Sequence, residues 1–270
     1  MQRIDQSLAT GIAFPLVVDL DGTLTPSNTL LEAICLLVKQ SPTKLARALG
    51  CLTKGRAAFK DYVVANTSFS AAKLPYRENL LEYLRKEKGK GRQLVLATAS
   101  HRTVANLVSE HLGIFDDVIA TSSTNLKGRR KLEAIRSKLG EDFVYAGDSS
   151  ADLPIWEAAK GAVLVGASTA TTKIVGRTTP LEAQFPQASV GLKRWAIALR
   201  LHQWLKNLLI FVPLLTSFSF FDSEKIATSL LAFIAFSFAA SATYLINDLW
   251  DLDSDRAHPR KRLRPLARTE

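Results

Sequence analysis

The sequence predicts an α/β protein, in which a doubly wound parallel sheet with a helical cap is followed by a transmembrane α-helical hairpin. Short apolar segments alternate with amphipathic stretches over the first two thirds of the 270 residues, as strands and helices do in a parallel sheet. Polar residues follow directly after four of the apolar segments. From about Trp204 onward, long uncharged stretches indicate membrane helices.

The first strand is predicted at residues 16–18, an apolar run between Pro15 and Gly22. Asp19 and Asp21 follow it in the segment DLDGTLT. The carboxyl ends of strands are where open α/β sheets bind their ligands, which favours a functional site. An Asp-Gly pair between apolar segments also fits a hairpin turn, so the later strand ends have to decide between the two interpretations.

A helical cap is predicted next, over about residues 28–89. Apolar residues recur there at helical spacing, and Pro42, Gly50 and Gly55 divide the region into separate helices. Further strands, separated by helices, are predicted at 93–97, 118–121, 143–147 and 162–165. Residues 171–191, rich in Thr, Pro, Gln and Ala, are predicted as a linker, so that the first domain spans residues 1–185.

The polar residues at the strand ends predict one common site. They are Asp19 and Asp21 after the first strand, Thr98 after the second, Lys127 after the third, and Asp148 and Asp152 after the fourth. Each has a structural alternative, because Thr and Asp also cap helices and lysines are commonly solvated. The ends of parallel strands meet at one edge of a sheet, so the complete set favours a site over these alternatives.

The segments DLDGTLT, LVLATAS, NLKG and GDSSAD, in this order, resemble the four motifs of the haloacid dehalogenase (HAD) superfamily, most of whose members are phosphatases and phosphotransferases. The resemblance covers roughly residues 10–170. It implies a Rossmann-like hydrolase domain in which residues of the cap determine specificity. It also makes the hairpin interpretation of the first motif untenable.

The resemblance implies a phosphohydrolase mechanism. Asp19 would be the nucleophile that forms an aspartyl-phosphate, and Asp21 would be the general acid and base. Thr98 and Lys127 would bind the phosphoryl oxygens. Lys131 is the nearby alternative, but the glycine adjacent to Lys127 favours Lys127.

The implied cofactor is Mg²⁺, which prefers oxygen ligands and few carboxylates. Asp19, Asp148 and the backbone of Asp21 would hold it. Asp152 would orient the water molecules of the metal or hold Lys127.

Charge and cysteine content restrict the partners and the compartment. The net charge of +10 is concentrated beside the apolar segments and at the C-terminal end, and no nucleic-acid-binding motif accompanies it. We therefore expect a membrane lipid surface and no nucleic acid. Cys35 and Cys51 lack metal-binding or redox spacing, which indicates a reducing compartment. The first residues lack the apolar core of a signal peptide, so we expect the first domain to be cytoplasmic.

The last part of the chain is predicted to be a membrane segment over residues 186–270. A basic amphipathic stretch at 193–207 leads into predicted spans at 204–221 and 226–246. Lysines and arginines flank the pair of spans, whereas the turn between them carries little charge. The positive-inside rule then predicts a multi-pass protein of the cell membrane, with the first domain and the C-terminus in the cytoplasm.

The segment NDLWDLDSD at 247–255 resembles the first aspartate-rich motif, NDxxDxxxD, of the UbiA prenyltransferase family. HQWLKN and HPRKRLRPLA are similar to the branch of decaprenyl-phosphate phosphoribosyltransferase. In that branch the acidic motif binds phosphoribosyl diphosphate through Mg²⁺, and an isoprenoid phosphate is the acceptor. The resemblance implies ligand binding by Asn247, Asp248, Asp251, Asp255 and Lys206, and we expect the three carboxylates at 248, 251 and 255 on one helical face.

UbiA enzymes have more spans and a second aspartate-rich motif, so we expect a fragment of a HAD–UbiA fusion or a truncated product, without transferase activity. The first hypothesis is a membrane-tethered, Mg²⁺-dependent phosphatase acting on a phosphomonoester. A candidate substrate is the 5-phosphate of a polyprenyl-phosphoryl phosphoribose. The second is a transferase with an accessory HAD domain, and the third is a non-catalytic assembly module.

Overall fold

A six-stranded sheet organises the first part of the computed structural model, which describes residues 13–121, 126–187, 192–219 and 221–259. Its strands are β1 Leu16–Val18, β2 Leu94–His101, β3 Asp117–Thr121, β4 Val144–Gly147, β5 Gly161–Val165 and β6 Leu181–Phe185. They are all parallel, in the order β3-β2-β1-β4-β5-β6. The predicted α/β fold is confirmed.

The strands are apolar because both faces of the sheet are covered by helices. Leu16 and Val18 of β1 belong to the core on one face, and Val17 belongs to the core on the other. The helices that follow β2 to β5 are α5 Arg102–Leu112, α6 Arg129–Leu139, α7 Leu153–Ala158 and α8 Thr169–Thr178. Because β1 pairs with both β2 and β4, the chain changes direction across the sheet at β1, where such folds open a ligand crevice.

The helical insertion after β1 has a small core of its own. It contains α1 Thr29–Gln40, α2 Pro42–Cys51 and α3 Arg56–Ala65, with a 3₁₀ turn at Leu52–Lys54. Their buried apolar residues are Ala33, Leu37, Ala48, Phe59 and Val63. The next helix, α4 Glu78–Gly89, instead packs Leu80, Leu81 and Leu84 into the core of the sheet. The separate core of the cap is thus smaller than the predicted 28–89.

Two predictions about the first part need correction. Strand β2 continues beyond residue 97 to His101, so its last residues are polar. In its described part the predicted linker contains most of α8 and all of β6, and strand β6 pairs with β5. Strand β6 is an edge strand whose residues are mostly exposed, which explains its polar composition.

The chain divides into two compact units, Met1–Gln187 and Ala188–Glu270. The second unit contains α9 Leu192–Ala198, a 3₁₀ helix at Leu201–Phe211, α10 Val212–Thr216, α11 Ser223–Trp250 and α12 Leu252–Ala257. Within the described ranges, α11 is the one helix that is long and apolar enough to cross a membrane. It includes the predicted span at 226–246.

The predicted transmembrane hairpin is not confirmed. Residues 204–221 do not form one helix in the described part of the chain, because a 3₁₀ helix gives way to the short α10 at Val212. Pro213 lies in the first turn of α10, where its missing N–H is tolerated, and Phe218 has a positive φ of 51° just beyond its end. The predicted orientation also depended on basic residues from 260 onward and on the side chains of Lys193 and Arg194, which lie outside the described residues, as do residues 1–12.

Candidate functional site

A cavity of about 470 Å³ opens beside the carboxyl ends of β1, β2 and β4. The four predicted carboxylates line it: Asp19, Asp21, Asp148 and Asp152. Helix α3 of the cap contributes Arg56, Phe59 and Lys60 to the same cavity. The structure therefore brings the first and fourth predicted motifs together and adds a wall from the cap.

Asp19 lies directly after β1 and is almost completely buried. Its Oδ1 accepts a hydrogen bond from the backbone N–H of Leu20 at 2.8 Å, and its Oδ2 lies 2.9 Å from Lys131 Nζ. Burial raises the pKa of the Asp19 carboxyl to about 7, although Lys131 opposes this rise. A cation at the site would favour the ionised carboxylate that a nucleophile needs.

The buried lysine of the site is Lys131, from the first turns of α6, and not Lys127. Lys131 Nζ lies 3.6 Å from Asp152 Oδ1 as well as close to Asp19. These two carboxylates raise the pKa of the Lys131 ammonium although burial lowers it, so the lysine stays charged. Lys127 lines the same cavity but is exposed. Lys131, the alternative that the sequence offers, is therefore the lysine that lies against the buried carboxylates.

Tyr145 of β4 links Lys131 to Asp152. Lys131 Nζ donates to the Tyr145 hydroxyl at 3.0 Å, and that hydroxyl donates to Asp152 Oδ1 at 3.0 Å. Burial raises the pKa of the Tyr145 phenol well above its ordinary value, so its proton stays in place. The indole N–H of Trp156 donates to the Tyr145 carbonyl at 3.1 Å and fixes the strand beneath.

Asp148, at the end of β4, lies against the turn that follows Asp21. The hydroxyl of Thr23 donates to Asp148 Oδ1 at 3.3 Å. Burial and the nearby Asp152 raise the pKa of Asp148 to about 6. Gly22 has a φ of 82°, and a Cβ at this position would lie 2.2 Å from Asp148 Oδ2. Only glycine fits between the two motifs.

Asp21 is held by the cap helix α1 and by Ser100. The N–H of Thr29 donates to Asp21 Oδ1 at 2.7 Å, and the Ser100 hydroxyl donates to Asp21 Oδ2. Thr98 was predicted as the hydroxyl of the site, but it is fully buried within β2 and accepts the N–H of Ser100 at 3.0 Å. Because the strand continues past Thr98, the hydroxyl that reaches the cavity is that of Ser100.

The end of β2 also contacts the cap helix α3. Lys60 Nζ donates to the carbonyl of Ala99 at 2.6 Å. The ring Nε2 of His101 lies 2.8 Å from Asp61 Oδ1. Two adjacent residues of α3 are thus attached on either side of Ser100.

The donor set fits a divalent cation. Carboxylate oxygens of Asp19, Asp148 and Asp152 all lie within 4.8 Å of one another. Burial, and to a lesser extent repulsion between these carboxylates, raises the pKa values of Asp19 and Asp148. Oxygen ligands of this kind suit Mg²⁺ and similar hard cations.

Comparison with known proteins agrees with this geometry. Residues 56–157 match the family model described as haloacid dehalogenase-like hydrolase. This match supports a HAD-like hydrolase domain, as the resemblance of the sequence motifs predicts. The crystal structure of a protein of unknown function from Bordetella pertussis Tohama I shares the fold, with a TM-score of 0.50 at 16% identity, over 63% of this chain and 98% of that chain.

Two relatives in sequence are longer proteins than this chain. An uncharacterized protein of Sinorhizobium fredii, y4nM, is 43% identical over 255 residues, which cover 94% of this chain and 49% of that protein. A decaprenyl-phosphate phosphoribosyltransferase of Corynebacterium glutamicum is 44% identical over 72 residues, 26% of this chain and 22% of that protein. The chain therefore spans about half the length of the first relative and less of the second.

Four residues at the HAD-like site escaped the sequence prediction: Ser100, Tyr145, Arg56 and Lys60. Ser100 ends the LVLATAS segment, so its hydroxyl was an available signal beside that of Thr98. Tyr145 lies inside an apolar strand, where a tyrosine is ordinarily a core residue. Arg56 and Lys60 are separated by one helical turn, which places both on one side of α3.

The predicted ligand-binding residues of the second unit are arranged differently. Asp248 of α11 forms an ion pair with Arg200, 2.6 Å between Asp248 Oδ1 and Arg200 Nη2. Helix α11 ends at Trp250, so Asp251 lies between two helices and Asp255 is buried in α12. The expected single helical face is thus interrupted. In the described part of the chain, these acids do not form a cluster like that of the HAD-like site.

The other two predicted residues lie nearby. Asn247 precedes Asp248 in α11, and Lys206 is exposed on the 3₁₀ helix. Lys206 lines a small cavity of about 60 Å³ together with Arg200, Asn207 and Tyr244. The side chain of Asn207 donates to Ser237 Oγ at 2.9 Å, and the indole of Trp204 donates to Ser241 Oγ at 3.0 Å. Polar contacts therefore join the 3₁₀ helix to α11.

Proposed function

We propose that the chain is a membrane-tethered, Mg²⁺-dependent phosphatase that hydrolyses a phosphomonoester through an aspartyl-phosphate on Asp19. The observation that carries the proposal is the meeting of a buried carboxylate, a buried lysine and a second carboxylate in one cavity. Asp19 supplies the nucleophile, Lys131 lies 2.9 Å from it, and Asp21 lines the same cavity. These are the groups that acyl-phosphate chemistry requires.

In the first step, a carboxylate oxygen of Asp19 attacks phosphorus. A P–O bond to Asp19 forms, and the P–O bond to the leaving group breaks. Asp21 donates its proton to the leaving oxygen, so that an alcohol departs. The hydrogen bonds from the Thr29 N–H and the Ser100 hydroxyl hold the Asp21 carboxyl in place for this transfer.

In the second step, Asp21 takes a proton from a water molecule, whose oxygen attacks the same phosphorus. The P–O bond to Asp19 breaks, inorganic phosphate leaves, and the two aspartates return to their starting states. A carboxylate that first acts as an acid and then as a base is well suited to both steps, because the protons it gives and takes balance.

Positive charge has to offset the phosphoryl oxygens in both steps. Lys131 is kept charged and oriented by Asp152 and Tyr145. Mg²⁺, held by Asp19, Asp148 and the backbone of Asp21, would supply further positive charge to the phosphoryl group. The Ser100 hydroxyl, rather than that of Thr98, is the hydroxyl that reaches the site, where it holds Asp21.

The membrane location rests on α11, which has the length and composition of a membrane span. The similarity to decaprenyl-phosphate phosphoribosyltransferases suggests where the substrate would come from. A polyprenyl-linked phosphomonoester, such as a polyprenyl-phosphoryl ribose 5-phosphate, is the substrate we consider first. Tethering would keep the domain close to such a lipid.

The decisive experiment uses the full chain in detergent with p-nitrophenyl phosphate. We expect turnover that requires Mg²⁺, is abolished by a chelator, and is lost in Asp19→Asn. Asp142→Asn is the matched control, because Asp142 is an exposed carboxylate that does not line the cavity. Full activity in folded Asp19→Asn would contradict the mechanism. Absence of turnover on p-nitrophenyl phosphate and on a ribose 5-phosphate series would contradict the function.

A second candidate function is phosphoribosyl transfer by the second unit, and the 72-residue similarity favours it. The test supplies phosphoribosyl diphosphate and decaprenyl phosphate to the full chain. Product formation that is lost in Asp248→Asn but kept in Asp19→Asn would support this candidate. No product, in a preparation with phosphatase activity, would contradict it.

A further inference from the structure

The cavity has a cationic wall on the side of the cap. Arg56 and Lys60 of α3 line it, and Lys127 lines it from the segment before α6. The carboxylates of the HAD-like site form the rest of its polar lining. The charges of the cavity are therefore divided between acidic strand ends and basic residues beside them.

Arg56 and Lys127 lie close enough to Lys60 to affect the pKa of its ammonium. Lys60 is half-buried, and burial lowers the pKa of its ammonium. Asp21 opposes that effect, whereas Arg56 and Lys127 lower the pKa further. Like charges gathered in one place raise the energy of the free protein, and an anion bound among them relieves that repulsion.

Arg56 is the member of this group that is free to meet a ligand. Its side chain is exposed, and in the part of the chain that the structure describes it has no carboxylate within ion-pair distance. It is the first residue of α3, after Gly55, whose φ of 106° directs the chain into the helix. A planar guanidinium in this position can bind a carboxylate or phosphate through two parallel hydrogen bonds.

The reacting phosphoryl group does not account for these cations. Under the proposed mechanism it meets Lys131, which is buried against Asp19. Leu30, Leu52 and Phe59 line the cavity as well and give its cap side an apolar surface. A cavity of about 470 Å³ has room for a carbon skeleton between two anionic groups.

We propose that Arg56 and Lys60 bind a second anionic group of the substrate, a carboxylate or a phosphodiester, while the phosphomonoester occupies the site at Asp19. The substrate class is thus a phosphomonoester with two anionic ends. This inference rests on the proposed function, since it assigns the far end of the same substrate.

The test compares three probes with one five-carbon skeleton: ribose 5-phosphate, 5-phosphoribonate, and the 1-(methyl phosphate) diester of ribose 5-phosphate. The first lacks the second anion, the second carries a carboxylate, and the third carries a phosphodiester. For the full chain in detergent, we expect kcat/KM to be about ten- to hundredfold higher for at least one probe with a second anionic group than for ribose 5-phosphate. This gain is typical of hydrogen bonds to charged groups. The favoured probe identifies the anion.

The variants locate the effect. The preference is the kcat/KM of the favoured probe divided by that of ribose 5-phosphate. We expect Arg56→Gln to reduce this ratio towards one and Arg56→Lys to retain part of the preference. Lys54→Ala is the matched control, because Lys54 is an exposed cation of the cap that does not line the cavity. Circular dichroism confirms that each variant is folded.

Equal kcat/KM values for all three probes would overturn the inference while leaving the phosphatase in place. A preference that persists unchanged in folded Arg56→Gln and Lys60→Gln would also overturn it. Hydrolysis of none of the probes would instead contradict the proposed function itself, and with it the inference.

Discussion

The acidic residues after β1 and β4 and those at the end of α11 differ in how the backbone arranges them. In the first unit, adjacent parallel strands bring Asp19 and Asp148 together although 129 residues separate them in sequence. At the end of α11 the acids are neighbours in sequence, yet Asp248 pairs with Arg200 and the helix breaks at Asp251. The two acidic segments therefore differ in that the fold brings distant carboxylates together in the first unit, whereas the acids near the end of α11 are close only in sequence.

The largest expected effect comes from comparing Asp19→Asn with Asp248→Asn. Because the amide cannot attack phosphorus, we expect Asp19→Asn to lower kcat on p-nitrophenyl phosphate by about 10³-fold or more. Asp248→Asn, which removes the partner of Arg200 in the other unit, should leave phosphatase kcat within about twofold. An equal loss of phosphatase kcat in both variants would mean that the two acidic segments do not differ in their importance for hydrolysis.

Lys131→Gln should follow, with a loss of about 10²-fold or more in kcat/KM. It also leaves Asp19 and Asp152 without their buried cation, at a cost of about 3–5 kcal/mol in the free energy of unfolding. Lys127→Gln is the control, since Lys127 is exposed. Urea unfolding measures the difference in the free energy of unfolding. A larger loss of kcat/KM in Lys127→Gln than in Lys131→Gln would favour Lys127 as the lysine that binds the phosphoryl oxygens.

Ser100→Ala should lower kcat by about ten- to hundredfold, because a partly buried hydrogen bond to a carboxyl group is lost. Thr98→Val keeps the shape of the side chain and removes only a hydroxyl that accepts the Ser100 N–H. We expect a smaller loss of activity there. Steady-state kinetics on both variants checks the order, and the reverse order would favour the residue predicted from the sequence.

Tyr145→Phe should reduce kcat by about tenfold, because the hydroxyl orients Lys131 and Asp152 without touching the substrate. KM should change less, and the lower limb of the pH–rate profile should shift because the charges around Asp19 change. Tyr62→Phe in the cap is the control. An unchanged pH profile together with reduced stability would indicate that Tyr145 is only a packing residue.

The smallest effect concerns stability and pH. The folded-state pKa of Asp19 is raised from 3.8 to about 7, so the metal-free folded protein binds more protons than the unfolded chain between these values. Its free energy of unfolding should therefore fall as pH rises from about 4 to about 7 and stay low above that. In a chelator, we expect Asp19→Asn to raise Tm at pH 8 and to have less effect at pH 4.

Thermal unfolding at several pH values measures this difference. Asp148, whose pKa is raised to about 6, acts in the same direction. Added Mg²⁺ should reverse the trend by binding the ionised carboxylates. A Tm difference that does not depend on pH would mean that Asp19 is not destabilised by ionisation.

Local patterns predicted the parts of the fold that depend on burial. The apolar runs identified β1, β3, β4 and β5, and the carboxylates after β1 and β4 followed from them. The end of β2 could not be placed, because Thr98, Ser100 and His101 are polar residues within a strand. The sequence pattern therefore favours Thr98, whereas the hydroxyl that lines the cavity is that of Ser100.

The other differences have similar causes. Strand β6 was missed because an edge strand with Glu182 and Gln184 has no apolar pattern. The Lys-Gly pair favours Lys127 over Lys131 in the sequence, but adjacency to glycine says nothing about which side of α6 faces the strand ends. Hydropathy could not separate a continuous span from the 3₁₀ helix and short α10 found within residues 204–221.

The attachment of α3 to the end of β2 has a mechanical consequence. Ala99, Ser100 and His101 are consecutive, and the two outer residues contact Lys60 and Asp61 of the cap. The middle residue supplies the hydroxyl that holds Asp21. A displacement of α3 would therefore strain the three peptide units that hold Asp21, so the position of this carboxyl depends on the contacts between the cap and the end of β2.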